Sequence, residues 1–189
     1  MESREKLREP AWISSQADRE ARTDRISFGE RMGQLVAVAG FLVVIVFVAI
    51  HQTRPTGFFT DDFGTLASVL LYGALVIGIV PLLVRFYTGR KNVARPFELI
   101  GFFPFLVGQL YFLVVFPFEF DHFADPLPRS LEFLLDWISP TLAKIVLGIG
   151  VVGSIVFMIY NSFLYLGVKD RLAKAEAAAE RPAEETKSA

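Results

Sequence analysis

The chain has 189 residues, and its 19 Lys and Arg offset 20 Asp and Glu to leave a net charge of −1. None of those charges falls in four windows, 32–50, 64–84, 99–118 and 145–168. A water-facing helix needs polar residues on every turn, whereas about 20 consecutive apolar residues cross roughly 30 Å of hydrocarbon. The pattern excludes a soluble enzyme and a nucleic-acid binder with a basic face, and the absence of Cys excludes a disulfide scaffold and thiol chemistry. It predicts an all-α membrane protein with four transmembrane helices in an antiparallel bundle, over about 32–51, 64–86, 98–118 and 140–168. A polar arm (1–31) precedes this 32–168 domain and a charged tail (169–189) follows it.

The arm balances seven bases against seven acids and holds Trp12, Ile13 and Phe28, so it is expected to be loosely ordered with one surface-lying helix. The first window, Met32 to Ile50, is dense enough in Leu, Ile, Val and Phe to insert on its own. The acidic stretch before it, and the lack of a small-x-small site after it, make it a retained span rather than a cleaved signal. The second window, Gly64 to Val84, carries Pro81 near its end, where a lost donor kinks the last turn. The third, Leu99 to Phe118, holds Pro104, Gly108, Gln109 and Pro117 and is the most irregular. The fourth starts at Ser139-Pro140, a capping residue followed by Pro at the first helical position. Its Ala-, Glu- and Lys-rich continuation is expected to stay helical as far as Pro182 and to be disordered beyond.

Seven Lys and Arg lie in 1–31, four in 85–98 and five in 169–189, while 51–63 holds only Arg54 and 119–139 only Arg129. Basic loops stay on the cytoplasmic side, so both termini are expected to be cytoplasmic, in a cell membrane of the plasma or inner type. The cluster Arg90, Lys91 and Arg95 is expected to touch anionic lipid headgroups.

No window contains an ionisable residue, which argues against an ion- or proton-coupled transporter. The buried polar residues, among them Gln34, Tyr72, Gln109, Tyr160 and Asn161, are expected to glue helices together. The run Gly148-Ile149-Gly150-Val151-Val152-Gly153 spells G-x-G-x-x-G but lacks the preceding strand that a dinucleotide site needs. Gly148, Gly150, Gly153 and Ser154 instead form a thin surface for close helix packing, either within the bundle or against another subunit or copy.

Candidate chemistry is confined to the outer face. Asp61 and Asp62 lie in the first outer loop, Glu119, Asp121 and Asp125 in the second, and both histidines, His51 and His122, belong to this side. Oxygen-rich clusters with one or two imidazoles suit Ca²⁺, Mn²⁺ or Zn²⁺, so these seven residues are the candidate metal ligands. The competing reading is solvated acids interleaved with Phe. Leu131, Leu134, Leu135 and Ile138, with Trp137 beside them, predict a short amphipathic helix lying on the outer surface. With the neighbouring phenylalanines it would form an aromatic cap. No catalytic residue is assigned. The sequence points first to a non-catalytic scaffold or accessory subunit of a membrane complex, contacting lipids and no nucleic acid. A channel or carrier for a neutral or hydrophobic solute, and a metal-dependent protein using the outer cluster, are the alternatives.

Overall fold

The computed structural model describes the backbone of residues 11–187 and the side chains of 15–174 except Arg22. Arg4, Lys6 and Arg8 of the arm lie outside the described residues, as do the side chains of Trp12 and Ile13. Among the described residues five α-helices form: α1 (Ala11–Arg22), α2 (Phe28–Thr53), α3 (Thr65–Thr88), α4 (Lys91–Val115) and α5 (Pro140–Lys187). Four of them, α2, α3, α4 and the Pro140–Lys174 part of α5, are long and apolar enough to cross a membrane. The chain is thus a multi-pass membrane protein, and large side chains such as Val36 and Val114 stand fully outward on the helices, as lipid contact allows.

Local chemistry sets the helix ends. A capping box starts α2: Ser27 Oγ accepts from the Glu30 amide at 3.2 Å, and Glu30 Oε2 accepts from the Ser27 amide at 2.7 Å. Gly89 ends α3 in the left-handed conformation, φ 63°, a region that suits a residue without a Cβ. Its carbonyl accepts from the Ile26 amide at 2.9 Å, which brings the α1–α2 link beside the α3–α4 turn. Ser139 caps α5 as expected, its Oγ accepting from the Leu142 amide at 3.2 Å. The helix then continues past Pro182 to Lys187.

Three expectations need correction. First, α4 begins at Lys91, well before the expected start near 98, and runs through both Pro96 and Pro104. Second, the segment 129–138 is not an α-helix. It makes 3-10 turns, with Leu131 N donating to Pro128 O at 2.7 Å and Leu134 N to Leu131 O at 3.0 Å. One α-type bond closes there, from Asp136 N to Glu132 O at 3.0 Å, and a single turn is short of the run that sustains an α-helix. Third, the described part of the arm is docked: Ala17 of α1 is fully buried against Leu164 and Val168 of α5, and Asp18 pairs with Arg171.

Packing runs in a row, α2 on α3, α3 on α4 and α4 on α5, with α1 on α5. Close approach is made by glycines: a Cβ at Gly78 of α3 would meet Phe41 of α2, and one at Gly101 of α4 would meet Ile77 of α3. Between α4 and α5, Gly150 sits against Gln109, and Ser154 Oγ donates to Gln109 Oε1 at 2.9 Å. The first and last spans, α2 and α5, are not packed along one another. The row is therefore open along one side. Single bridges join Arg25 to Arg90 at one end, called here the basic end, and Phe59 to Phe118 at the other, the aromatic end.

Candidate functional site

At the aromatic end the candidate metal ligands are dispersed. His51 is 3 % exposed, with Nδ1 2.7 Å from Thr56 Oγ1 and Nε2 3.3 Å from the Phe123 carbonyl. Phe47, Phe58, Phe59 and Phe123 surround its ring. Both ring nitrogens are thus occupied in tying the end of α2 to the second loop. His122 is exposed and pairs with Asp125 at 3.1 Å, while Asp61, Asp62, Glu119 and Asp121 are exposed. Among the described residues no three His, Asp or Glu side chains gather closely enough to hold a metal ion.

The phenylalanine part of the expected aromatic cap is formed, while Trp137 stands exposed. Phe58 is buried among Phe59, Phe118, Phe120 and Phe123, and its carbonyl accepts from the Glu119 amide at 2.7 Å. Lys144, at the start of α5, sits 4.4 Å from the centre of the Phe116 ring, fixing its stem near the interface.

The principal cavity lies at the opposite end. It has a volume of about 800 Å³ and is walled by all five helices, between α2 and α5 with α3 and α4 behind. α1 contributes only Glu20, and each of the four long helices contributes a stripe at helical spacing, which a period of 3.6 residues places on one face. On α4 the stripe reads Lys91, Arg95, Glu98, Phe102, Phe105, charged at the basic end and aromatic further in. On α2 it runs from Glu30 and Gln34 to Phe41, and on α3 from Arg85 to Gly78 and Ala74. At 1.5 Å per residue these stripes extend roughly 16–21 Å along the helices. A second, polar hollow of about 640 Å³ adjoins it at the mouth and shares Glu20, Glu30 and Lys91.

Ion pairs from three other helices converge on α4. Glu20 of α1 pairs with Arg95, Arg85 of α3 pairs with Glu98, and Glu30 of α2 lies 3.7 Å from Lys91. Just outside, Asp24 pairs with Arg90 at 3.1 Å and accepts from the Asn92 amide at 2.9 Å. The side chains of Arg95 and Glu98 are only 5 % and 8 % exposed. Charged groups so deeply buried are costly unless paired and fully hydrogen-bonded. These pairs are incomplete: among the described residues Arg85 Nε, Arg95 Nη1, Glu98 Oε2 and Gln34 Oε1 have no hydrogen-bond partner. Each such atom costs about 1–3 kcal/mol if left so. Buried polar atoms without partners are rare, and these four belong to side chains that line one cavity while the atoms themselves are shielded from its open space.

Charged side chains are therefore buried within the protein at this end, next to but outside the uncharged 99–118 window. Glu98 and Arg95 lie inside α4, and the sequence reading missed them because it placed them before or at the edge of the third span. The stripe spacing 91, 95, 98, 102, 105 could have exposed them. Asn161, expected as inter-helix glue, instead bonds the Phe157 carbonyl of its own helix at 3.0 Å and lines the cavity, as Tyr160 does. Of the thin surface on α5, Gly150 and Ser154 are used within the chain, whereas Gly148 and Gly153 face open space. Compared with family models, curated proteins and solved structures, the chain matches none, so its reading rests on this geometry.

Proposed function

We propose that the protein is a membrane-embedded binding protein for an amphipathic molecule, held in the cavity at the basic end. The carrying observation is the change along that cavity from ion pairs at the mouth to Phe41, Phe102, Phe105 and Phe157 further in. Ligand sites are concave, mostly apolar and fitted with a few polar groups, and about 800 Å³ falls within their usual range of roughly 300–1,000 Å³. The open side between α2 and α5 gives a hydrophobic tail a route in from the bilayer. With the bases of 85–98 and the tail on the cytoplasmic side, and the helices alternating in direction, the mouth faces the cytoplasmic leaflet.

Gly33 provides the test. It lines the cavity on α2, and a Cβ there meets nothing within 4 Å, so Gly33→Trp fills the mouth without disturbing a packed contact. Gly148→Trp, equally open but away from the cavity, is the control. In native mass spectrometry from mild detergent, wild type and Gly148→Trp should retain an amphipathic molecule that Gly33→Trp loses. Equal retention by all three, or by none, would refute the proposal.

A second reading, a scaffold that packs against another subunit or copy, is favoured by the open strip at Gly148 and Gly153. It predicts that Gly148→Trp changes the oligomeric state in detergent.

A further inference from the structure

We infer that α1 is a strap latched by ion pairs across the aqueous mouth of the cavity, and that its release presents the polar end of a bound molecule to the cytoplasm. The inference rests on the cavity reading for what the strap encloses. α1 and the link 23–27 cross the basic end from α5 to α4 and α3. Ala17 sits on Leu164 and Val168, Glu20 pairs with Arg95, Asp24 pairs with Arg90 at 3.1 Å, and the Ile26 amide donates to the Gly89 carbonyl at 2.9 Å. The strap is also wall. Glu20 and Ile26 line the cavity beside Leu164, and the same segment makes up most of the polar hollow at the mouth. Lifting α1 therefore removes part of the cavity's enclosure at the basic end, whereas the side between α2 and α5 is open in either position.

Charge provides most of the hold. Among the described residues the apolar grip of α1 is Ala17 and Ala21 on Leu164, Val168, Tyr160 and Leu172, and a methyl group buries little area. Three acids of the strap each hold a base from a different place: Asp18 holds Arg171 of α5, Glu20 holds Arg95 of α4, and Asp24 holds Arg90 in the turn between α3 and α4. Arg171 is oriented by its own helix, with Nη1 donating to the Gly167 carbonyl at 2.9 Å. The Asp18 and Arg90 side chains are more than half exposed, so their pairs are weak and salt weakens them further. α1 has 12 residues, near the lower limit for a helix alone in water, so undocking also melts it. A segment held in this way opens far more readily than the packed spans.

The absence of Cys gives a clean test. Asn161 is buried, lines the cavity about one turn deeper than Leu164, and donates within its own helix to the Phe157 carbonyl. The full chain carrying Asn161→Cys is placed in phosphatidylcholine nanodiscs, whose neutral surface keeps salt from acting through the lipid. The rate of its reaction with a membrane-impermeant maleimide is compared with that of Tyr87→Cys, an exposed position at the basic end outside the cavity. Labelling at position 161 should be slow. It should rise about tenfold relative to position 87 when Asp18→Arg turns the pair with Arg171 into a repulsion. Adding Arg171→Asp should restore the rate to within about twofold. Without any latch variant, raising the salt to about 1 M should speed labelling several-fold, which keeps the test decisive if Asp18→Arg fails to fold. Fast labelling from the outset, rates indifferent to salt and to Asp18→Arg, or a charge swap that fails to restore closure would each overturn the strap. None of these rates requires a ligand, so such results leave the cavity reading standing. A strap that opens as expected in a protein that retains no amphiphile would instead overturn the cavity reading, and the presentation with it.

Discussion

Removing Arg85 and removing Glu98 break the same ion pair, yet their surroundings predict unequal costs. The Glu98 side chain is 8 % exposed and already has one carboxylate oxygen without a partner among the described residues, whereas the Arg85 side chain is 28 % exposed at the last turn of α3. Arg85→Ala leaves the Glu98 carboxylate in the cavity wall with Arg95, already paired with Glu20, as its remaining cation, which costs up to about 3–5 kcal/mol. Glu98→Ala leaves Arg95 its pair with Glu20, and leaves an Arg85 guanidinium whose long stem can carry it toward the mouth and water, so its cost falls to about 1–2 kcal/mol, between the surface and buried ranges. Replacing both by leucine should recover most of the loss, because a buried pair exchanged for apolar residues of similar volume is often neutral or better. The assay is SDS titration in mixed micelles, followed by circular dichroism, on the two singles and the double. A Glu98→Ala cost equal to or above that of Arg85→Ala, or a double variant as unstable as the worse single, would refute this account of the site.

Two further outcomes test the parts that frame the cavity. Gly57 has φ +92°, and a Cβ there would lie 2.9 Å from the His122 ring, so Gly57→Ala should destabilise the aromatic end by about 1–3 kcal/mol; the same SDS titration, showing no loss, would contradict it. Ala17→Glu puts a carboxylate where Ala17 is fully buried against Leu164 and Val168. Hydrogen exchange in α1 should rise by at least an order of magnitude while α2 to α5 keep their protection, and unchanged exchange in α1 would show that the docking is not held by this contact.

What the sequence disclosed and what it withheld divide along physical lines. The four spans were legible because transfer of apolar side chains into hydrocarbon depends on local composition alone, and the structure places a helix over each. The capping box Ser27-Phe28-Gly29-Glu30 was equally local and could have moved the start of α2 back to Phe28. The start of α4 was obscured by Pro96, which usually marks a first helical turn but here lies in the second. The burial of Arg95 and Glu98 depends on pairing with Glu20 and Arg85, and that of His51 on a loop that returns after two further spans. The α4 stripe places Arg95 and Glu98 on one face with Phe102 and Phe105, but no local pattern encodes which residues meet them. The outer cluster looked chemical because its composition was right, but composition says nothing about convergence.

The two ends of the molecule satisfy their polar groups in opposite ways, and that contrast bears on whether a ligand could pass through. A path across the bilayer would have to run past Gln109 and Tyr72, yet neither lines the cavity. Gln109 is engaged with Ser154, and Tyr72 Oη donates to Gln52 Oε1 at 2.8 Å while Gln52 donates to Ser68 at 3.3 Å. Beyond them the His51 and Phe58 cluster is packed under loops joined at Phe59 and Phe118. Single hydrogen bonds between spans are worth only about 0.6–1.7 kcal/mol and would not by themselves bar a path. The interlocked rings are a larger obstacle, since opening them means separating several aromatic contacts together with both bonds of His51. At the basic end the ion-paired side chains line a cavity that is already open on the side between α2 and α5. A molecule bound there would therefore enter and leave from one leaflet, which fits binding or presentation of a lipid better than conduction of a solute.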